Sequence, residues 1–395
     1  MTEISRPADR IQGLIKEADR CVKCGLCLPH CPTYGLTRNE AESPRGRIAL
    51  AEALARGTLT ADAGLMTHLD HCLLCRACER ACPSAVNFGK LMDQTRALTL
   101  DRQPRWLRWA ADLMSHRRQV RVALRLGRLL PARWLPGGSA LVLAARRLAD
   151  RKLPTIAKYK PPGDGPRVGL FLGCVGGAVQ ASAVQATRQL LEAAGATVVV
   201  PHSQTCCGAM HSHLGDAIAG QQRAMRNHDA FAGLQLDAVV SLASGCGCQL
   251  NEQSPALPAK HWDVSHYLLE SGLLERLRLA PLPARAVLHT PCTLRNSPDS
   301  AAAVATLLAR IPQLTVLPLD AGAQCCGAGG LHLLSHPEQG VALRAPKLTA
   351  INAANADYLV TSNPGCALHM AAGLGAAGAE VVHPVELLVR QLLPA

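Results

Sequence analysis

Near the N-terminus one cysteine spacing occurs twice. Cys21, Cys24, Cys27 and Cys31 read C-x-x-C-x-x-C-x-x-x-C-P, ending at Pro32, and Cys72, Cys75, Cys78 and Cys82 repeat it, ending at Pro83. Three thiolates on one tight loop can hold three irons of a [4Fe-4S] cube, and the fourth iron takes its thiolate from the other run. The expected ligand sets therefore cross: Cys21, Cys24, Cys27 and Cys82 for one cluster, and Cys72, Cys75, Cys78 and Cys31 for the other. Zinc loops use C-x-x-C pairs rather than triplets, so two identical runs with the same terminal proline read as two cubanes.

A second group of cysteines begins at Cys174. Cys174, the pair Cys206 and Cys207 followed by Gly208, and Cys246 are echoed by Cys292, Cys325 and Cys326 followed by Gly327, and Cys366, at offsets of 118, 119 and 120 residues. So constant an offset marks an internal duplication. Each half offers four thiols, enough for an iron-sulfur cluster, a zinc ion or redox-active thiols, and all three stay open. Cys248 is a fifth thiol in the first half only. His202, His211, His213, His289 and His332 lie near these loops and are weaker ligand candidates.

These side chains need positioning elements. The two N-terminal runs stand 40 residues apart, and 47–56 between them has helical periodicity, so an all-α two-cluster ferredoxin module is expected over 1–97. Its segment Ser43-Pro44-Arg45-Gly46-Arg47 either docks on a cluster or partner or is a turn opening that helix. Residues 98–165 form a basic helical connector. Arg117, Arg121, Arg125 and Arg128 recur on one helical face, Trp106, Trp109, Leu113, Leu124 and Leu130 supply apolar contacts, and 134–138 breaks the helix. The run Lys160 to Pro166 marks a boundary. Beyond it lie cysteine-rich repeats over 166–282 and 283–395. Short strands at 168–172, 197–200 and 238–242, and again at 286–289, 315–319 and 358–361, alternate with helices such as 179–194 and 211–234, which implies parallel sheets. The cysteines follow strands, so each set should converge at the carboxyl ends. The expected class is α+β multidomain: the ferredoxin module, then two tandem α/β parallel-sheet repeats.

Composition narrows the function. Of a formal net charge of +12, the segment 101–160 holds fifteen Arg and Lys against three acids, so the remainder is formally neutral. A basic helix with tryptophans suits an anionic lipid surface, an acidic partner subunit or plain solvated linker. Three Phe, four Tyr and four Trp argue against a stacking platform for nucleic acid. No apolar run is long enough to span a bilayer, and the cysteine spacings fit a reducing cytoplasm, with peripheral contact at the inner face of the cell membrane as an extension. No G-x-G-x-x-G follows a strand, so no flavin is expected on this chain.

The order of two ferredoxin runs and two cysteine-cysteine-glycine domains resembles the group containing glycolate oxidase iron-sulfur subunits, the C subunit of anaerobic glycerol-3-phosphate dehydrogenase, and cysteine-rich subunits of heterodisulfide reductase and lactate-utilisation complexes. The resemblance is nearest to the first and rests on Cys21 to Pro32 with Thr33 and Tyr34, Pro44 to Arg47, Cys72 to Pro83, Ala243 to Gly247, Pro291 to Leu294 and Cys325 to Gly327. It implies an electron-transfer subunit. A FAD-dependent dehydrogenase partner would oxidise glycolate or D-lactate, and electrons would leave towards a quinone or membrane acceptor. The competing readings are a thiol or disulfide reductase of heterodisulfide-reductase type and a redox-sensing scaffold.

Overall fold

The computed structural model describes residues 7–127, 139–153, 165–295, 302–319 and 325–394. Arg128, Leu130, the break at 134–138 and most of the 160–166 boundary therefore lie outside the described residues. The chain gathers into two compact units. One takes the described residues up to 111 together with 210–220 and 325–343; the other takes the rest.

The first unit is helical, and its N-caps explain where the helices start. Ser43 accepts a hydrogen bond from Gly46 N (2.9 Å) and Pro44 takes the first helical position, so the helix runs Pro44–Ala55. Asp62 caps Ala63–Asp70 and Asn87 caps Phe88–Leu98. With Pro7–Ala18 these helices enclose a core of Leu14, Ile48, Ala51, Leu69, Leu91 and Met92. The cysteine runs themselves are loops. Lys23 and Gly25 in the first, and Leu74 and Arg76 at the same two places in the second, adopt positive φ of 55°, 83°, 49° and 57°. That curls both loops identically around Cys24 and Cys75.

The second unit contains two four-stranded sheets of one design. In the first repeat, β1 (Arg167–Phe171), β2 (Thr197–Val199), β3 (Ala238–Ser241) and β4 (His261–Asp263) are all parallel in the order β2-β1-β3-β4. In the second, β5 (Ala284–Leu288), β6 (Leu314–Pro318), β7 (Tyr358–Val360) and β8 (Glu380–Val382) repeat this as β6-β5-β7-β8. β4 and β8 are additions to the strands expected from sequence. The expected helix 179–194 is Ala181–Ala193, preceded by the separate short helix Val175–Val179, and 211–234 is divided into Ala209–Leu214 and Ala217–Phe231 by Gly215 at φ +92°.

The repeats pack reciprocally. Helix Ala181–Ala193 of the first lies on Pro384–Arg390 of the second, and Val264–Glu270 of the first lies on Ala303–Leu308 of the second. The helices following the strands cross over in the same way, Ser244–Glu252 on Cys292–Arg295 and Val175–Val179 on Pro364–Leu374. One hydrophobic core results, running from Leu170 and Leu190 through Leu268 to Leu307 and Leu388.

The connector differs from expectation in its apolar contacts. Helix Arg105–Ser115 buries Leu107, Ala110 and Ala111, whereas Trp106 and Trp109 are 51% and 66% exposed. Leu113 and Leu124 are half-buried. In helix Arg117–Gly127, Arg121 donates to the Gly177 carbonyl (2.9 Å), so part of the basic face is used internally, while Arg118, Val122, Arg125 and Leu126 face solvent.

Candidate iron-sulfur and thiol sites

The curled N-terminal loops enclose two cavities. One is lined by Cys21, Cys24, Cys27, Cys78 and Cys82 with Arg45, Ile48 and Phe88. The other, of about 310 Å³ including its mouth, is lined by Cys31, Cys72, Cys75 and Cys78 with Thr33 and Arg47. The first meets three thiols of the first run and two of the second; the other meets three of the second run and Cys31 of the first, with Cys78 lining both. The two differ in access: Cys24 is exposed and Cys21, Cys27 and Cys82 half-buried, whereas Cys31, Cys72 and Cys78 are buried.

The donor chemistry suits a cationic group. Burial pushes the Cys27 thiol up, against hydrogen bonds from backbone N–H groups, and burial with the neighbouring Cys75, Cys72 and Cys31 raises Cys78 well above the ordinary thiol value. Four such thiols cannot all ionise side by side in apolar surroundings; bound metal removes that obstacle by supplying positive charge.

Behind the second cavity lies a buried polar network. Arg47, 1% exposed, donates through Nε to the His68 carbonyl (2.7 Å), through Nη1 to Thr33 Oγ1 (2.9 Å) and the Glu42 carbonyl, and through Nη2 to Glu42 Oε2 (2.6 Å). His68 and His71 donate through Nδ1 to Glu42 Oε1 (2.9 and 2.8 Å). Ser43-Pro44-Arg45-Gly46-Arg47 thus opens a helix and also supplies a cavity wall. The cavity-lining role of Arg47 was legible only as the sequence alternative of cluster docking; Thr33 entered only among the residues that carry the resemblance, and Glu42 carried no signal.

The first repeat brings its four cysteines together near the carboxyl ends of its strands. Cys174 Sγ and Cys206 Sγ are 3.3 Å apart, and Cys207 hydrogen-bonds both Cys206 and Cys246. Cys206 is held well below the ordinary thiol value by hydrogen bonds from Cys174 and Cys207, helped by Gly208 N–H and outweighing burial. Cys174 and Cys207 are raised, first by sharing their protons with Cys206 and then by burial. The set therefore favours one thiolate shared among neighbours. Beside it a cavity of about 320 Å³ is lined by Leu172, Gly173, Gln180, Ser241 and Cys246. Cys248 donates to the Thr293 carbonyl (3.4 Å).

In the second repeat, Cys292 is half-buried and Cys366 buried, with Cys366 Sγ within 4.8 Å of a ring nitrogen of His289. His289 is pushed down to about 3 by burial and by the charges of Lys347 and Arg295, and its Nδ1 is 3.0 Å from Thr361 Oγ1. Cys325 and Cys326 are buried in the other unit, where Gly327 N donates to Cys325 Sγ (3.4 Å). Of the remaining histidines, His213 pairs with Asp93, His202 is exposed, and His211 and His332 are buried.

Comparison with known proteins agrees with this layout. Residues 17–86 match the family described as 4Fe-4S dicluster domain, and 168–251 and 286–371 match the family described as cysteine-rich domain. The chain is 32% identical to the probable glycolate oxidase iron-sulfur subunit of Bacillus subtilis, covering 93% of each, and 32% identical to the glycolate oxidase iron-sulfur subunit of Escherichia coli, covering 94% of this chain and 93% of that one. It is 29% identical to lactate utilization protein A of Geobacillus thermodenitrificans over 56% of this chain and 98% of the relative. Among the described residues no helix is long and apolar enough to cross a membrane. With its paired cysteine loops, duplicated cysteine-rich domain and full-length likeness, the chain belongs to the family of glycolate oxidase iron-sulfur subunits and is an electron-transferring subunit of an oxidoreductase complex.

Proposed function

We propose that this chain takes electrons from a flavin-bearing partner that oxidises a 2-hydroxy acid, glycolate or D-lactate, and passes them towards a quinone or other membrane acceptor. The observation that carries the relay is the pair of cavities, each lined by cysteines drawn from both runs. Cys21, Cys24, Cys27 and Cys82 would hold one [4Fe-4S] cluster, and Cys31, Cys72, Cys75 and Cys78 the other. Bound there, each cluster supplies a one-electron carrier. The chain's own part is to space the thiolates, exclude water from the inner site and leave the Cys24 edge open to a partner. A further iron-sulfur cluster or zinc would sit on Cys174, Cys206, Cys207 and Cys246 of the first repeat. Exposed Trp106 and Trp109 amid arginines support peripheral contact with an anionic membrane.

The test is anaerobic purification of the complex from membrane and soluble fractions, followed by addition of glycolate and then D-lactate. Bleaching of flavin and iron-sulfur absorbance by one acid is the expected result. Cys24→Ser and Cys75→Ser should each remove one cubane and stop electron flow while the cysteine-rich repeats stay folded; full activity in either would defeat the relay. The close sulfurs of Cys174 and Cys206 favour thiol-disulfide chemistry as a second reading. Turnover of a disulfide substrate, lost in Cys206→Ser, would establish it instead.

A further inference from the structure

The two cysteine cavities have the same loop geometry but different backing. At the inner one, Thr33 is 1% exposed and its Oγ1 lies 3.3 Å from Cys31 Sγ. The hydroxyl has one proton and two acceptors in reach, that sulfur and the Glu42 carbonyl at 3.2 Å. Arg47 Nη1 already donates to the same carbonyl and also to Thr33 Oγ1, and it lies 4.0 Å from Cys31 Sγ. With Cys31 ionised, the sulfur becomes the stronger acceptor and draws the hydroxyl proton. The guanidinium beyond it is a fixed positive charge where water cannot screen it. Glu42 takes its hydrogen bond from Nη2, the other terminal nitrogen, and its second oxygen is engaged by two imidazoles.

The outer cavity is backed differently: its Cys27 takes hydrogen bonds from backbone N–H groups, that of Arg45 among them, rather than from a buried side-chain network. The place of Thr33 is taken there by Ser84, which is half-buried, and its arginine, Arg45, is 31% exposed, paired with Glu40 and donating to the Lys23 carbonyl. Donors to cluster sulfurs and nearby positive charge stabilise the more negative, reduced state.

We propose that Thr33 and Arg47 are positioning residues that raise the reduction potential of the inner cluster relative to the outer one, through the Cys31 thiolate. This rests on the ligand assignment above. Electrons would then run downhill from the exposed Cys24 edge to the buried site, and the pair would rectify flow rather than merely conduct it.

The test uses the full chain, purified anaerobically with its clusters and titrated reductively under paramagnetic resonance. Thr33→Val keeps the shape and removes the donor. One of the two cluster waves should move to lower potential, by about tenfold in its reduction constant or about 59 mV, with the other wave and the iron content unchanged. Thr33→Ser should return it, and Arg47→Lys should move the same wave in the same direction. If Thr33→Val retains both clusters and neither wave moves, or if Ser shifts it as far as Val, the tuning is refuted while the relay stands. If the wild-type chain holds fewer than two cubanes, the ligand assignment fails and takes this inference with it.

Discussion

Glu42 is buried to 2% exposure, yet its carboxyl lies below the usual carboxylate range. Burial raises it, and hydrogen bonds from His71 and His68 with the charge of Arg47 more than reverse that. A depressed folded value contributes stability above the unfolded value and loses it as pH falls through the folded one. Glu42→Gln should therefore flatten the acid limb of a calorimetric stability profile. At pH 7 it should cost roughly 3–5 kcal/mol, because Arg47 is left as an uncompensated buried charge; an unchanged acid limb would count against the network. The left-handed residues are equally local. Gly25 announces its turn, but Lys23, Leu74 and Arg76 adopt the same region at a cost of about 1–2 kcal/mol each. Their side chains gave no hint of it, because closure of the loop, rather than local preference, imposes that conformation.

Among the elements, the strands that alternate with helices were legible where a short run is apolar and rich in valine or leucine, as in β1 and β3. β4 and β8 were not, since His261-Trp262-Asp263 and Glu380-Val381-Val382 are too short to show a period. They matter because each leads directly into a helix N-cap. His383 caps Pro384–Arg390 in a capping box with Glu386, and Asp263 caps Val264–Glu270 through Oδ1 to Ser265 N (2.9 Å). Asp263 Oδ2 is buried and has no hydrogen-bond partner among the described residues. Burial lifts its carboxyl to about 6. An acid raised on folding loses stability as pH climbs from its unfolded value through about 6. Asp263→Asn keeps the cap, so it should gain stability at pH 8, about 3 kcal/mol at most from a shift of about two pH units. The gain should vanish near pH 4. Equal denaturation midpoints for variant and wild type at pH 8 would rule this out.

At the scale of the whole chain, the duplication and the basic stretch were plain from cysteine offsets and charge. The reciprocal packing was not, because the apolar periodicity of a stretch such as 179–194 shows that a face is buried but not which repeat covers it. Leu190 and Leu388 are fully buried in a core that belongs to both repeats. Leu388→Ala should cost about 2–5 kcal/mol and lower a single unfolding transition that reports on both sheets. Two transitions, only one of them shifted, would mean independent repeats. The same packing makes the tandem a dimer joined in one chain. Each repeat meets its complement at an effective concentration set by the short link from Glu270 to Ala284, on the order of millimolar. Cutting that link would turn an intramolecular fit into a bimolecular one. Each half, left with an apolar helical face, would find its mate, or a second copy of itself, only as fast and as fully as dilution permits.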